Sequence, residues 1–307
     1  MGFMELILFE KNEIHPEAIK LLKKNGIKAY AHNNPVIANN TEAVFIRTYT
    51  KINHKFLKKY PNLKYILRAG VGLDNIDIRA CESRRIQIFN SPGSNANATA
   101  ELVISYMIML CRKLDQQINS LKKGRWRQRK FLGEEIRNKA IGLIGCGASG
   151  RLLAEKLQSF GVKKIIGYDP FLSREALEKL GIRKVSLFYL LRNSDFISLH
   201  LPLLPETRNL IAKKEFSLMK KKAFIINTSR GEIVNEDDLI KALKNGEISG
   251  AALDVFKNEP EINREFFSIP NVIATPHIGS FTKEADQAMS LGAVQNFLNY
   301  IHKNQKK

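Results

Sequence analysis

Short apolar runs alternate with helix-spaced apolar positions through the first ninety residues. Glu5 to Glu10, Ala43 to Arg47, Leu63 to Arg68 and Ile86 to Asn90 read as strands. Between them, Pro16 to Asn25, His54 to Tyr60 and Asp77 to Arg84 read as helices, the first stopped by Gly26. Such alternation predicts a parallel sheet covered by helices on both faces. Ser91-Pro92-Gly93 punctuates the series. Ala98 to Leu121 predicts one long helix, apolar nearly all round its first half and therefore buried. A second β–α series starts near Ala140, with later strands at Phe196–Leu199, Ala223–Asn227, Gly250–Leu253 and Val272–Ala274. A last helix is expected from about Lys283 to His302. The fold class is α/β, with doubly wound parallel sheets.

A chain of 307 residues is long enough for two such domains. No apolar run reaches the ~18 to 20 residues of a membrane span. The longest, Leu102 to Cys111, is broken by Ser105. Glu5 and Glu10 bracket the first apolar run, unlike a secretory leader. Cys81, Cys111 and Cys146 have neither disulfide-like nor metal-like spacing, which fits a reducing cytoplasm. The net charge of +19 points to anionic ligands. Most of it is dispersed lysine. The exception is 112–130, with eight Lys or Arg and one acid, Asp115. No nucleic-acid-binding motif accompanies the charge, so neither a nucleic acid nor a membrane is an expected partner.

One motif narrows the picture. Ile141 to Ile144 is an apolar β run, and Gly145, Gly147 and Gly150 follow it directly as G-x-G-x-x-G. Leu152, Leu153, Leu157 and Phe160 come next at helical spacing. A further strand, Lys164 to Tyr168, ends at Asp169, about 20 residues on. That arrangement is a dinucleotide-binding fingerprint. Gly145 permits the tight turn, Gly147 lets the backbone approach a pyrophosphate, and Gly150 lets helix and strand pack. The helix N-terminus, from Ala148 and Ser149, offers N–H groups to the phosphates. Asp169 can accept hydrogen bonds from a ribose diol and repels a 2′-phosphate. NAD(H) is therefore the expected cofactor, ahead of NADP(H).

Three later segments cluster polar groups at strand ends: Asn227 to Gly231, Ala251 to Pro260, and Thr275 to Ser280. Carboxyl ends of strands face the ligand crevice in a doubly wound sheet. Arg230, Glu259 and His277 are thus expected to converge. A guanidinium can bind a carboxylate by two hydrogen bonds. A His can take a hydroxyl proton as hydride leaves, with a carboxylate orienting its other nitrogen.

These segments resemble the D-isomer-specific 2-hydroxyacid dehydrogenase family. The matching stretches are RAGVGLDNID (68–77), NSPGSNANATAEL (90–102), GRWRQRKFLGEEI (124–136), GLIGCGASGR (142–151) and SFGVKKIIGYDP (159–170). HLPLLPET (200–207), NTSRGEIVNEDDL (227–239), GAALDVFKNEP (250–260) and TPHIGS (275–280) complete them. The resemblance implies a flavodoxin-like substrate domain, 1–95 plus 281–307, with a Rossmann NAD domain, 96–280, inserted in it. It assigns His277 as acid/base, Glu259 as its partner and Arg230 as substrate anchor. It places Val71 and Gly72 near the substrate carboxylate. Thr99, Pro202, Thr207, Thr228, Ser229 and Asp254 would line the cofactor site beside Gly145, Gly147, Ala148, Ser149, Gly150 and Asp169.

The implied reaction is NAD-dependent oxidation of 3-phospho-D-glycerate. Reduction of glyoxylate or hydroxypyruvate, and D-lactate oxidation, stand as alternatives, with a non-catalytic NAD sensor behind them. Arg47 and Arg68, ending neighbouring strands, are the expected phosphate contacts. A homodimer or homotetramer is implied, with the helix from Ala98 and the basic segment after it as the arm. Two departures stand out. Relatives carry Arg-Ile where this chain has Ala148-Ser149. Ending at Lys307, the chain is also expected to lack a C-terminal regulatory domain.

Overall fold

The computed structural model describes residues 4–32 and 41–305. It divides into two compact units. One comprises the described residues up to Asn95 together with those from Ser280 onward, and the other is Ala96–Gly279.

The first unit alternates strand and helix. In chain order these are β1 (Glu5–Leu8), α1 (Pro16–Lys24), β2 (Lys28–Ala31), β3 (Ala43–Ile46), α2 (His54–Lys59), β4 (Tyr65–Arg68), α3 (Ile78–Ser83) and β5 (Gln87–Phe89). All pairings are parallel, in the order β2-β1-β3-β4-β5. Helix starts are fixed locally. Asn53 accepts the Phe56 N–H, and Asp77 accepts the Ala80 N–H. Central β3 is fully buried, and its side chains alternate between two cores. Ala43 and Phe45 join Leu6, Leu8 and Leu67 under α1 and the last helix, Lys283–Gln305. Val44 and Ile46 join Ile7 and Ile66 under α2 and α3. Edge strand β2, KAYA, lacks a buried run, and for that reason its pattern does not announce a strand.

The second unit opens with α4 (Ala96–Arg112) and α5 (Leu114–Lys122). There follow β6 (Ala140–Ile144), α6 (Ala148–Gln158), β7 (Lys164–Tyr168), α7 (Arg174–Glu178), β8 (Arg183–Lys184), α8 (Leu187–Asn193) and β9 (Phe196–Leu199). The unit ends with α9 (Lys213–Leu218), β10 (Phe224–Asn227), α10 (Glu236–Lys244), β11 (Gly250–Leu253) and β12 (Val272–Ala274). Its seven parallel strands run β12-β11-β10-β9-β6-β7-β8. Strand order reverses between β6 and β9, which makes that point the ligand crevice of a doubly wound sheet. Alternate residues again feed two cores. Ile197, Leu199, Ile225 and Leu253 face α8 to α10, while Ile141, Leu143, Phe196 and Ile226 face α4 and α6. No helix among the described residues is long and apolar enough to cross a membrane.

The single helix expected over 98–121 is two. Lys113 adopts left-handed φ 50°, ψ 42° and separates α4 from α5. The cause lies elsewhere in the chain. The Glu134 N–H donates to the Cys111 carbonyl at 2.9 Å, which diverts the helical ladder. Gly133 packs so closely that a Cβ there would sit 2.8 Å from Arg112 Cα.

Left-handed backbone is unfavourable for a residue with a Cβ. Lys113→Gly is expected to stabilise the protein by about 0.5–1 kcal/mol in urea unfolding. A loss of stability would show that the Lys113 ammonium on the Lys130 carbonyl outweighs the backbone strain.

Candidate active site

The glycine loop turns directly off β6. Gly145 has φ 87°, and its N–H donates to Tyr168 O at 2.9 Å. A Cβ on it would lie 2.5 Å from the His200 carbonyl oxygen, and one on Gly150 would lie 2.6 Å from Gly145 O. Those two positions exclude any side chain. Gly147, in contrast, borders open space and is exposed. It serves as the N-cap of α6 with no side-chain cap, so first-turn N–H groups at Ala148 and Ser149 lack intrahelical acceptors. The Arg151 guanidinium donates from Nε to Cys146 O at 3.1 Å, bracing the loop from the helix side.

Asp169 is nearly buried at the end of β7. Its Oδ2 accepts the Cys146 N–H at 2.9 Å, and Oδ1 accepts the Phe171 and Leu172 N–H groups at 2.9 and 3.1 Å. It therefore ties the glycine loop to the turn after β7. Thr207 closes the 202–207 turn, its hydroxyl donating to Pro202 O at 2.8 Å. Thr228 Oγ1 is buried without a hydrogen-bond partner. A buried orphan hydroxyl at a strand end, beside a glycine cradle and an uncapped helix, fits a polar, phosphate-bearing cofactor.

Arg230, Glu259 and His277 all come from loops at the carboxyl ends of β10, β11 and β12. His277 Nδ1 lies 2.7 Å from Glu259 Oε2. The other Glu259 oxygen accepts the Phe256 N–H at 2.9 Å, which fixes the carboxylate plane. Burial raises the Glu259 pKa, but the hydrogen bond and charge of His277, the Phe256 N–H and the Arg230 charge outweigh it and hold the carboxyl below its ordinary value. Arg230 donates from Nη1 to Ser229 O at 2.6 Å. Asn227 holds that turn. Its Oδ1 accepts the Ser229 N–H and hydroxyl at 3.0 and 2.8 Å, and its Nδ2 donates to Arg230 O at 2.9 Å. Gly231 admits the Phe256 backbone, where a Cβ would come within 2.0 Å of Phe256 C. The Arg230 turn and the Glu259 loop are thereby locked together.

His277 sits at φ 54°, a strained backbone for a residue of its kind. Asp254 imposes it. The His277 N–H donates to Asp254 O at 2.9 Å. The Asp254 carboxylate accepts the Ile278 N–H at 2.8 Å, the Gly279 N–H at 2.7 Å and the Thr275 hydroxyl at 2.5 Å. Asp254 is fully buried, and its contacts shape the turn. Thr99 is buried too, its hydroxyl donating to Gly279 O at 3.3 Å.

In the first unit, Gly70 (φ 145°) leaves the space that the Arg68 guanidinium fills, with Nη1 donating to Ala69 O at 3.1 Å. Ser91 Oγ accepts the Gly70 N–H at 3.1 Å, and Asn90 Nδ2 donates to Val71 O at 2.8 Å. The Val71 and Gly72 N–H groups donate to no acceptor among the described residues. Arg47 departs from expectation. Its guanidinium pairs with Asp286 and donates to Glu13 O at 2.5 Å, largely buried. A fixed carboxylate on the last helix takes the charge that was expected to await a phosphate.

Residues 104–279 match the family model described as D-isomer specific 2-hydroxyacid dehydrogenase, NAD binding domain. Similar curated proteins include the D-3-phosphoglycerate dehydrogenase of Methanocaldococcus jannaschii, 37% identical over 281 residues, covering 90% of this chain and 53% of that protein. The glyoxylate reductase of Thermococcus litoralis is 40% identical over 257 residues, covering 81% and 77%. Among solved structures, a glyoxylate reductase from Paecilomyes thermophila gives a TM-score of 0.89 at 28% identity, covering 99% of this chain and 97% of that one. The D-lactate dehydrogenase of Aquifex aeolicus, complexed with NAD and lactic acid, gives 0.84 at 27%, covering 98% and 96%. The chain thus belongs to the D-isomer-specific 2-hydroxyacid dehydrogenase family and carries that family's NAD-binding domain. It spans about half the length of the phosphoglycerate dehydrogenases it matches.

Sequence reasoning gave no role to Asn227, Tyr106, Thr275 or His200. His200 ends the strand beside the glycine loop, its Nε2 2.9 Å from Ser198 Oγ. Burial pushes its imidazole down to about 4. In the unfolded chain it titrates near 6.5. Between those values the unfolded state binds a proton that the folded state excludes. Stability is therefore complete above about pH 6.5 and falls as pH drops toward 4. His200→Asn is expected to flatten the melting temperature across that interval, and an unaltered slope would assign the acid sensitivity to other groups.

Proposed function

We propose that this chain is an NAD-dependent dehydrogenase of small D-2-hydroxy acids. The His277–Glu259 pair beside Arg230, within an NAD-binding domain, carries the reading. NAD+ held by the glycine loop and the start of α6 would supply the acceptor for the hydride that leaves C2 of the hydroxy acid. As the C2–H bond breaks, the hydroxyl proton passes to His277 Nε2 and the carbinol becomes a carbonyl. Glu259 keeps Nδ1 protonated and offsets the imidazolium charge. Arg230 binds the carboxylate and polarises the developing carbonyl. Reduction of the keto acid runs the same steps backward.

For the substrate we infer 3-phospho-D-glycerate, giving 3-phosphohydroxypyruvate and serving serine formation. Support comes from the phosphoglycerate dehydrogenases among the similar proteins and from the excess positive charge. Arg68, whose guanidinium lies over Gly70, is the strand-end cation we assign to the phosphate. The Arg47–Asp286 pair favours a second reading, an unphosphorylated acid such as glyoxylate, hydroxypyruvate or D-lactate. Assembly as a homodimer or homotetramer is consistent with α5, which buries no residue and exposes Ile118 and Leu121, and with exposed Trp126. Three buried, unbridged cysteines support a cytoplasmic setting.

NADH oxidation against a panel of 2-keto acids tests the function, with phosphohydroxypyruvate expected to give the highest kcat/KM. Highest activity on hydroxypyruvate or glyoxylate would select the second reading. His277→Ala is expected to lower turnover by about 10²- to 10⁴-fold with NADH binding retained. Near-native turnover in that variant would remove His277 from the chemistry. Asp286→Asn frees the Arg47 charge and is expected to raise kcat/KM for phosphohydroxypyruvate relative to hydroxypyruvate by roughly tenfold, the scale of one charge-assisted contact. An unchanged ratio would place Arg47 outside phosphate recognition.

A further inference from the structure

We propose that Tyr106 is a positioning residue for the His277 turn, acting through the Thr275 hydroxyl on the Asp254 carboxylate. The inference rests on the reading of His277 as the proton-transfer group. Tyr106 lies on α4 and is 1% exposed. Its hydroxyl is hydrogen-bonded to Thr275 Oγ1. Thr275 has one hydroxyl proton, and it goes to Asp254 Oδ1 at 2.5 Å. The Thr275 oxygen is therefore the acceptor from Tyr106, and the two hydroxyls form a directed chain that ends on the carboxylate. Each donation polarises the next, which strengthens the hold on the buried charge.

That charge needs the help. Burial raises the Asp254 pKa, and the Thr275 hydrogen bond leads the contacts opposing it, ahead of the Ile278 and Gly279 N–H groups. The carboxylate in turn holds Ile278 and Gly279, and its backbone oxygen holds the His277 N–H. Displacing Asp254 thus releases the φ 54° conformation of His277. Two turns earlier on the same face of α4, Thr99 donates to Gly279 O. One helix therefore grips the segment at both ends, Thr275 and Gly279. A phenylalanine would fill the Tyr106 site as well; a buried hydroxyl is costly unless it is paired.

The test uses the full chain, NADH and the best 2-keto acid of the panel. Tyr106→Phe is expected to lower kcat about three- to tenfold, with the NADH dissociation constant, read by fluorescence titration, unchanged. Thr275→Val should cost about ten- to a hundredfold, since it removes a bond to a charged group. Thr275→Ser, which keeps the hydroxyl, should restore turnover. The double variant Tyr106→Phe/Thr275→Val should lose less than the product of the two single losses, because Tyr106 acts on Asp254 in part through the Thr275 hydroxyl. Native kcat in Tyr106→Phe, multiplicative losses in the double variant, or equal losses of turnover and NADH binding would each overturn the proposal. A wild type inactive on every 2-keto acid would overturn the dehydrogenase reading along with it, whereas an active wild type with an unaffected Tyr106→Phe overturns this proposal alone.

Discussion

A buried carboxylate must find donors, and the Asp254 side chain finds three of them in one short segment of chain. Thr275, Ile278 and Gly279 each supply one. Leaving a buried charge unpaired costs several kcal/mol, far more than the ~1–3 kcal/mol of one strained residue. The turn is therefore dictated by the carboxylate, and His277 accepts a left-handed backbone as the consequence. Its ring then reaches Glu259, whose own loop starts from the same strand end as Asp254. The placement of the His277–Glu259 pair in this unit follows from satisfying one buried charge.

The same economy governs the cofactor side. Close approach, rather than flexibility, explains the first and third glycines: at Gly145 the neighbour is the His200 carbonyl, and at Gly150 it is Gly145 itself. Asp169 spends both oxygens on backbone N–H groups, so loop and strand end move as one body. With Ala148 and Ser149 offering only backbone donors, hydroxyl and helix dipole, pyrophosphate binding relies on preorganised N–H groups.

In the first unit, charge pairing competes with function. Arg47 ends β3 at the functional edge of its sheet, but Asp286 and the Glu13 carbonyl reach it from within the same unit. Arg68 instead curls over Gly70 next to the unused N–H groups of Val71 and Gly72. Two arginines at equivalent places on neighbouring strands are therefore held differently, Arg47 by a carboxylate 239 positions away in sequence.

Periodicity alone located most strands and the motif-bearing loops, because each strand of a parallel sheet is an apolar run bounded by turn residues. The glycine fingerprint and the Arg230, Glu259 and His277 segments were legible for the same reason, since their chemistry is local to a strand end. What escaped was set by partners distant in the chain. Edge strand β2 has too little burial to leave a pattern. The break at Lys113 answers to Gly133 and Glu134. Tyr106 read as one more apolar position on a buried helix, and only the fold brings its hydroxyl to Thr275. Arg47 read as a phosphate ligand, and only the packing of the last helix delivers Asp286 to it. Sequence determined which groups exist and the local shape around each; tertiary structure decided which charges and hydroxyls neutralise one another, because that depends on through-space proximity between residues up to 275 positions apart among the described residues.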